Sequence, residues 1–176
     1  MKEPFITSDP HFFHENICKW PGARPWDCHE EMTRDMIARW NSVVSEDDKV
    51  IILGDLFNRK AIECMPLLKG RKVLVMGNHC QAPTMVYMEN GIEKLLSCYE
   101  IAGGILTHIP IHTSQLERWK WNGIGHLHHA DVMMLDEENN LVPDPRYLNF
   151  CVEKWDYTPI KLSVGLNELR KRGLRV

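Results

Sequence analysis

Apolar runs that end in aspartate, asparagine or histidine recur along this chain and constrain its fold more than any other feature. The run 73–76 is aliphatic and stops at Gly77, directly before Asn78 and His79. A short aliphatic run closed by glycine is typical of a buried strand that ends in a sharp turn. Open α/β sheets bind ligands beyond the carboxyl ends of their strands, so we expect Asn78 and His79 to lie at a functional site.

The same arrangement occurs at four other places. These are residues 5–8 before Asp9-Pro10-His11, 50–53 before Gly54-Asp55, 105–107 before His108, and 122–125 before His126-Leu127-His128. Five runs of one kind predict one composite site at the ends of several strands. Oxygen and imidazole ligands of this mixture suit Mn²⁺, Fe, Ni²⁺ or Zn²⁺ and exclude a calcium cage or a thiolate site. The candidate ligands, too many for one ion and suited to two, are Asp9, His11, Asp55, Asn78, His108, His126 and His128.

The segments between the early runs are predicted to be helical. Asp27 can cap a helix with Glu30 three residues later, and apolar residues then repeat at helical spacing as far as Val43. A short helix is predicted within 11–20, with an end at Pro21-Gly22, and a crossover at 58–68 is predicted to be helical in part, limited by Pro66. Residues 84–96 are predicted to be helical with an interruption at Asn90-Gly91. Helices between strands are the signature of parallel βαβ crossovers.

From Tyr99 onward the predicted strands are short and close together. They cover residues 99–102, 105–107, 132–135 and 148–152, with a hairpin-like turn at 137–140 and a final helix at 163–172. Crossovers followed by hairpins predict an α/β fold in which two packed mixed β-sheets are flanked by helices, an α/β/β/α sandwich. A chain of 176 residues is long enough for one full core, so we expect a single domain over 1–176.

Composition excludes several classes of function. The net charge of −3 gives no general attraction to nucleic acid. Six cysteines without a C-x-x-C pair indicate neither a zinc ribbon nor a disulfide framework. No stretch approaches the roughly 18 apolar residues that span a membrane, and the amino terminus lacks the apolar region of a signal peptide. We therefore expect a cytoplasmic protein that does not engage a membrane.

The motifs together resemble those of a known family. The ordered blocks resemble the five motif blocks of the calcineurin-like metallophosphoesterase superfamily: Asp9-x-His11, Gly54-Asp55, Gly77-Asn78-His79, His108 and Gly125-His126-x-His128. The opening segment 8–17 and the segment 152–160 are similar to a small bacterial and phage-type branch of that superfamily. The resemblance spans residues 5–128 in order and spacing, and it implies a metallophosphoesterase fold.

The resemblance also implies two divalent ions, with Mn²⁺ expected and Fe, Ni²⁺ or Zn²⁺ as alternatives. The implied assignment is Asp9, His11 and His128 for one ion, Asn78, His108 and His126 for the other, and Asp55 as the bridge. Two ions bring four positive charges against two carboxylates, which leaves a formal surplus of about two for a phosphate ester. The ions would also lower the pKa of a bound water toward neutrality and so generate a hydroxide nucleophile.

Three further residues are assigned roles near the ions. His79 stands outside the ligand set and is the expected general acid for the leaving alkoxide. The family pattern has an acidic residue directly after this histidine, where the chain has Cys80, whose thiol is a weaker partner for the ring. Arg59 and His14 are the expected substrate-binding residues, since guanidinium pairs with phosphate and His14 follows His11 by one helical turn. A plain surface role is the alternative for both.

The expected reaction is hydrolysis of a phosphate ester, more a nucleotide-type phosphodiester than a monoester, by metal-bound hydroxide. The only partner this implies is the phosphate-ester substrate; no protein partner is indicated, and the oligomeric state stays open. A non-catalytic, metal-binding interaction scaffold with the same fold is the alternative. Residues 126–131 are also reminiscent of the H-x-H-x-D-H element of metallo-β-lactamase-like hydrolases, but that reading leaves Asp9, Asp55 and Asn78 without a role.

Overall fold

The computed structural model describes residues 2–19, 24–56 and 58–176. The strands are β1 Phe5–Thr7, β2 Lys49–Ile52, β3 Arg71–Val75, β4 Ile92–Leu96, β5 Tyr99–Ile101, β6 Gly104–Leu106, β7 Asn122–Ile124, β8 Met133–Leu135, β9 Leu141–Pro143, β10 Tyr147–Asn149 and β11 Ile160–Lys161. The α-helices are α1 His29–Val43, α2 Arg59–Glu63, α3 Thr84–Glu89 and α4 Leu162–Lys171. Short 3-10 helices cover Glu15–Cys18, Met65–Leu67, Thr113–Glu117 and Val152–Lys154. Within these ranges, no helix has both the length and the apolar character needed to cross a membrane.

The strands form two main sheets, which confirms the predicted mixed α/β architecture. The larger sheet has the order β11-β1-β2-β3-β4, with β1 to β4 parallel and β11 antiparallel to β1. The smaller sheet has the order β10-β7-β6-β5, in which β10, β7 and β6 are parallel and β5 is antiparallel. Strands β8 and β9 form a separate hairpin. The parallel part of the larger sheet follows from its helical crossovers α1, α2 and α3.

Alternating side chains give the larger sheet two buried faces. Val50 and Ile52 pack on the helical side, whereas Ile51 and Leu53 pack toward the smaller sheet, as the two-residue period of a strand requires. The helical side includes Met32, Met36 and Trp40 of α1. The cluster between the sheets adds Leu106, Leu148 and Phe150 from the smaller sheet, with Leu162 and Leu169 of α4. Both faces of the larger sheet are therefore covered by apolar layers.

The predicted helix over 84–96 is wrong in its second half. Helix α3 ends at Glu89, and Gly91 adopts a φ of +85°, which stops a right-handed helix. Residues Ile92–Leu96 instead form β4, paired in parallel with β3. Pairing with the sheet edge outweighs the helical spacing of these residues, a long-range effect that local spacing does not report.

The short helix predicted within 11–20 is present as the 3-10 helix Glu15–Cys18. It begins no earlier because His11 and Phe13 have φ values of 47° and 59° that an α-helix excludes. The predicted end at Pro21-Gly22 lies outside the described residues. The predicted capping role of Asp27 is wrong, since Cys28 is the N-cap of α1 and makes no side-chain capping bond.

The turn predicted at 137–140 is confirmed, but its second strand was not identified from the sequence. Strand β9 pairs with β8, and Asp136 Oδ1 accepts hydrogen bonds from Glu138 N at 2.9 Å and Asn140 N at 2.8 Å to close the turn. The strand predicted at 148–152 begins earlier, as β10, and pairs with β7 rather than with the hairpin. The spacing of residues in the sequence therefore predicted where this strand lies better than it predicted the strand with which it pairs.

Candidate metal centre

Seven side chains converge where strands of both sheets end. Asp9 and His11 follow β1, Asp55 follows β2, Asn78 follows β3, His108 follows β6, and His126 and His128 follow β7. Strands β1, β2 and β3 are parallel, and so are β6 and β7, so the carboxyl ends within each group share one edge. The two edges adjoin, and all seven of the candidate ligands named from the sequence lie where they meet.

Asp9, His11 and His128 form the first of two groups and are called the first triad below. Their candidate ligand atoms all lie within 4.8 Å of one another. His11 Nε2 is 3.7 Å from Asp9 Oδ1, and the rings of His11 and His128 stack with centroids 5.2 Å apart. Asp9 and His11 are buried and His128 is half-buried, so His128 is the member of the triad most accessible to solvent.

Asp55, His108 and His126 form the second triad, again with candidate ligand atoms within 4.8 Å. His108 Nδ1 donates to the carbonyl oxygen of Leu53 at 2.7 Å, which leaves Nε2 of the neutral ring without a proton. That Nε2 faces Asn78 Oδ1 at 2.7 Å and Asp55 Oδ2 at 3.4 Å. Three electron-rich atoms at such distances require a cation or a proton between them.

Asp55 lies between the two triads. Its Oδ2 is 3.4 Å from His108 Nε2 in the second triad and 3.7 Å from His11 Nε2 in the first. Its other oxygen, Oδ1, accepts a hydrogen bond from the backbone N–H of His79 at 2.9 Å. One carboxylate oxygen thus holds the loop after β3, and the other faces both triads.

The donor atoms fit divalent cations. Asp9 Oδ2 is held by the Ser8 hydroxyl, by His126 N at 2.8 Å and by the Cys151 thiol at 3.3 Å. Asp9 Oδ1, by contrast, is buried and has no hydrogen-bond partner among the residues described. A buried carboxylate oxygen without a partner is costly unless a cation neutralises it. The side chain is therefore fixed by one oxygen and offers the other to an ion.

Electrostatics keep both aspartates ionised. Burial raises the pKa of Asp9, but the nearby imidazoles of His11 and His108 and the Ser8 hydroxyl outweigh it, and the net pKa is far below its ordinary value. Burial likewise raises the pKa of Asp55, and its contacts with His108 and the His79 N–H reverse the shift. Burial is the main cause that lowers the pKa of His11. The first triad therefore presents a carboxylate beside a neutral imidazole, the protonation states that bind metals.

The backbone at the site is unusual. Five of the seven candidate ligands have positive φ values, namely Asp9 (54°), His11 (47°), Asp55 (49°), His126 (67°) and His128 (49°). Non-glycine residues adopt this region at a cost of order 1–3 kcal/mol each, and they do so chiefly at functional sites. The fold therefore holds these side chains in strained positions that packing around them must maintain.

Gly77 is required for the close approach of two strand ends. A Cβ at this position would stand 2.7 Å from the backbone nitrogen of Asp55 and would overlap Asp55 Oδ1. We expect Gly77→Ala to lower the free energy of unfolding by about 1–3 kcal/mol through overpacking and to displace Asp55, with loss of bound metal. Urea unfolding and the metal content of the purified protein measure the two effects.

The control for this substitution is Gly173→Ala. Gly173 has a φ of +89° and open space around it, so the added methyl strains the backbone without touching the site. It should cost about 1–2 kcal/mol and leave the metal content unchanged. Equal metal content in the two variants would contradict the close-approach argument for Gly77.

The three other residues assigned to the site from the sequence differ in position. The His79 ring contacts the His11 ring edge-on, with centroids 5.5 Å apart. The His14 ring lies 5.4 Å from that of His11, and burial with the charges of His11 and His79 lowers the pKa of His14 to about 4. His14 is thus neutral at pH 7. Arg59 is 79% exposed and pairs with Glu63 at 3.0 Å along α2, so the structure leaves it outside the cluster.

Cys80, which follows His79 in the chain, is buried in the core. Its backbone N–H donates to Gly77 O at 3.1 Å, and its side chain is buried in the apolar cluster on the helical side of the larger sheet. Burial raises the pKa of the Cys80 thiol, so it carries no charge at neutral pH. Cys80 therefore packs beneath Asp55 as a small buried side chain.

Sequence reasoning missed Glu153 and Arg24. Glu153 Oε1 lies 2.8 Å from His128 Nδ1, and it accepts hydrogen bonds from Arg24 Nε at 2.9 Å and Nη2 at 2.7 Å. Burial raises the pKa of Glu153, but His128 and Arg24 outweigh it and lower the pKa to about 2. Two signals could have found Glu153: it lies in the segment 152–160 that the branch resemblance used, and it directly follows the strand predicted at 148–152. Nothing near Arg24 indicates a site.

Comparisons with known proteins agree with this geometry. The family model described as calcineurin-like phosphoesterase matches residues 5–166. An uncharacterised protein of Methanocaldococcus jannaschii is 33% identical over 97% of this chain and 93% of its own. The gene 66 protein of Mycobacterium phage L5 is 28% identical over 69% of this chain and 71% of its own. The solved structure of a protein of unknown function from Aquifex aeolicus shares the fold, with a TM-score of 0.68 at 23% identity over 95% of this chain and 98% of that one.

Proposed function

Since this chain belongs to the calcineurin-like phosphoesterase family, and is therefore a hydrolase of ester bonds, we propose that it cleaves a nucleotide-type phosphodiester with two divalent metal ions. The first triad would hold one ion, His108, His126 and Asn78 the other, and Asp55 would bridge them. Carboxylate, amide and imidazole donors suit Mn²⁺, and they also accept Fe, Ni²⁺ or Zn²⁺. We propose Mn²⁺ as the first of these.

The observation that carries the proposal is the position of Asp55. Its Oδ2 faces an imidazole nitrogen of each triad, at 3.4 Å and 3.7 Å. Ions in two-metal sites stand about 3.5–4 Å apart, a distance that one carboxylate spans. A carboxylate shared by two triads supports two ions with a common ligand rather than two independent sites.

The charge of the site supports an anionic substrate. Asp9 and Asp55 are its only acidic side chains among the candidate ligands, whereas two divalent ions would bring four positive charges. When bound, such ions stabilise negative charge on phosphoryl oxygens and make water acidic. The surplus of about two charges is neutralised by a phosphate ester and an attacking anion.

Access to the site supports a diester over a monoester. Beside the second triad lies a cleft of about 390 Å³, lined by Met76, Gly77, Asn78, Ser97, Thr107, His108 and Ile109. Beside the first triad, the half-buried rings of His14 and His79 lie against that of His11. Since the described residues that line the cleft include no lysine, arginine or carboxylate, it suits an uncharged organic group. The cleft beside the second triad leaves room for the second ester substituent that distinguishes a diester from a monoester.

His79 is the proposed proton donor. Its ring contacts His11 but belongs to neither triad. Its backbone N–H donates to Asp55 Oδ1, so the residue that bridges the triads also fixes the position of the acid. In this role the imidazolium gives its proton to the oxygen of the departing alcohol, which avoids release of an alkoxide.

The proposal is tested with metal-stripped protein reloaded with Mn²⁺ and assayed on an activated aryl phosphodiester and the matching monoester. We expect hydrolysis of both to depend on added metal, with the diester preferred. Unreloaded protein from the same preparation controls for contaminating phosphatases. Preference for the monoester would overturn the diester assignment, and two bound ions without turnover of either ester would favour a non-catalytic scaffold.

A further inference from the structure

Glu153 is a buried carboxylate that contacts a candidate ligand without belonging to either triad. Its side chain is 2% exposed, and Oε1 lies 2.8 Å from His128 Nδ1. A carboxylate only accepts hydrogen bonds, so Nδ1 must carry the proton in this contact. The neutral ring then has its lone pair on Nε2, the nitrogen that remains for the first triad. Glu153 thus determines which nitrogen of His128 is available to an ion.

We infer that Glu153, held by Arg24, is the positioning residue of the first triad and makes its ion the more tightly bound of the two. The inference rests on the ligand role proposed above for His128. Carboxylates that hydrogen-bond to the far nitrogen of a ligating histidine orient the ring and make it a better donor. The far nitrogen of His108 in the second triad is bound by a neutral carbonyl, that of Leu53, which polarises its ring less.

Arg24 extends the same support to the other members of the first triad. Its Nη2 donates to Asp9 O at 2.7 Å and its Nη1 to Pro10 O at 2.6 Å, while Nε and Nη2 hold Glu153. The guanidinium is therefore bonded both to the loop that carries Asp9 and His11 and to the carboxylate behind His128. It is 4% exposed, so solvent screens these contacts little.

The test is titration of metal-free protein with Mn²⁺ by calorimetry, in the wild type and in Glu153→Gln. Glutamine keeps the size of the side chain but removes its charge. We expect two sites in the wild type, the tighter weakened about 10- to 100-fold in the variant, and the weaker site unchanged. Glu153→Asp keeps the charge but withdraws it by one methylene, and should recover only part of the affinity.

Asp144→Asn is the matched structural control. Asp144 is 1% exposed and accepts hydrogen bonds from Arg146 at 2.6 Å and 2.9 Å, yet no candidate ligand contacts it among the described residues. Weakening of this partly buried ion pair should lower the melting temperature and leave both metal affinities unchanged. Equal weakening of both sites in Glu153→Gln, or no weakening, would overturn the inference. Absence of metal binding in the wild type would instead overturn the proposed function.

Discussion

Asp55→Asn should lower metal-dependent turnover by about a hundredfold to a thousandfold, the cost of removing one group from a preorganised electrostatic site. Asp55 uses both carboxylate oxygens: Oδ1 accepts from His79 N, and Oδ2 faces both triads. Asparagine has only one acceptor oxygen. If its amide N–H₂ faces the triads, it repels cations; if it faces His79 N, two donors oppose each other. Either orientation damages the site.

The measurement is the turnover rate of the reloaded variant on the aryl diester, together with its content of bound metal. Asp35→Asn is the control, because Asp35 is a partly exposed carboxylate on α1 that pairs with Arg39, and such pairs contribute little. It should match the wild type in both measurements. Wild-type metal content and rate in Asp55→Asn would exclude the two-metal proposal.

His79→Gln should retain both metal ions and lose turnover selectively. For a diester with a poor, alkyl leaving group we expect kcat to fall by about 10²–10⁴, the usual contribution of a general acid. An activated aryl ester leaves without protonation, so its rate should change far less. The selectivity arises because His79 contacts His11 without belonging to either triad.

The measurement is the rate of His79→Gln on the alkyl diester and on the activated aryl ester, each compared with the wild-type rate. His112→Gln is the matched histidine control, since His112 is exposed and caps the 3-10 helix Thr113–Glu117 through Ser114. It should leave both rates and the metal content unchanged. A similar loss on the activated and the alkyl ester in His79→Gln would assign His79 to binding or structure rather than to proton transfer.

The residues brought together at the candidate metal centre could be named from the sequence because each follows an apolar run directly. Asp55, for example, stands three residues after Ile52 of β2 and can only lie at the carboxyl end of that strand. Glu153 also follows a predicted strand, 148–152, but it belongs to none of the five motif blocks, and its partner Arg24 is 129 residues away in the chain. Contacts set by the folding of distant segments leave no local pattern, so this ion pair could not be predicted.

In the fold, too, features set by local sequence could be predicted and features set by contacts between distant segments could not. The two sheets and their flanking helices follow from the order of helical and extended patterns, which is local information. The strand β4 was predicted as helix because its pairing with β3 is not local. Hairpin strand β9 was missed for a different reason: only three residues long, Leu141–Pro143 ends in a proline, which weakens the strand pattern.

Each triad draws ligands from both sheets. Asp9 and His11 come from the larger sheet and His128 from the smaller; Asp55 comes from the larger, and His108 and His126 from the smaller. An ion in either triad would thus clamp the two layers, so the free energy of ion binding would resist their separation. The supply of metal would then set the stability of the folded chain as well as its activity. Metal-free protein would separate more readily at the interface between the two sheets, and we expect it to be cleaved faster by proteases.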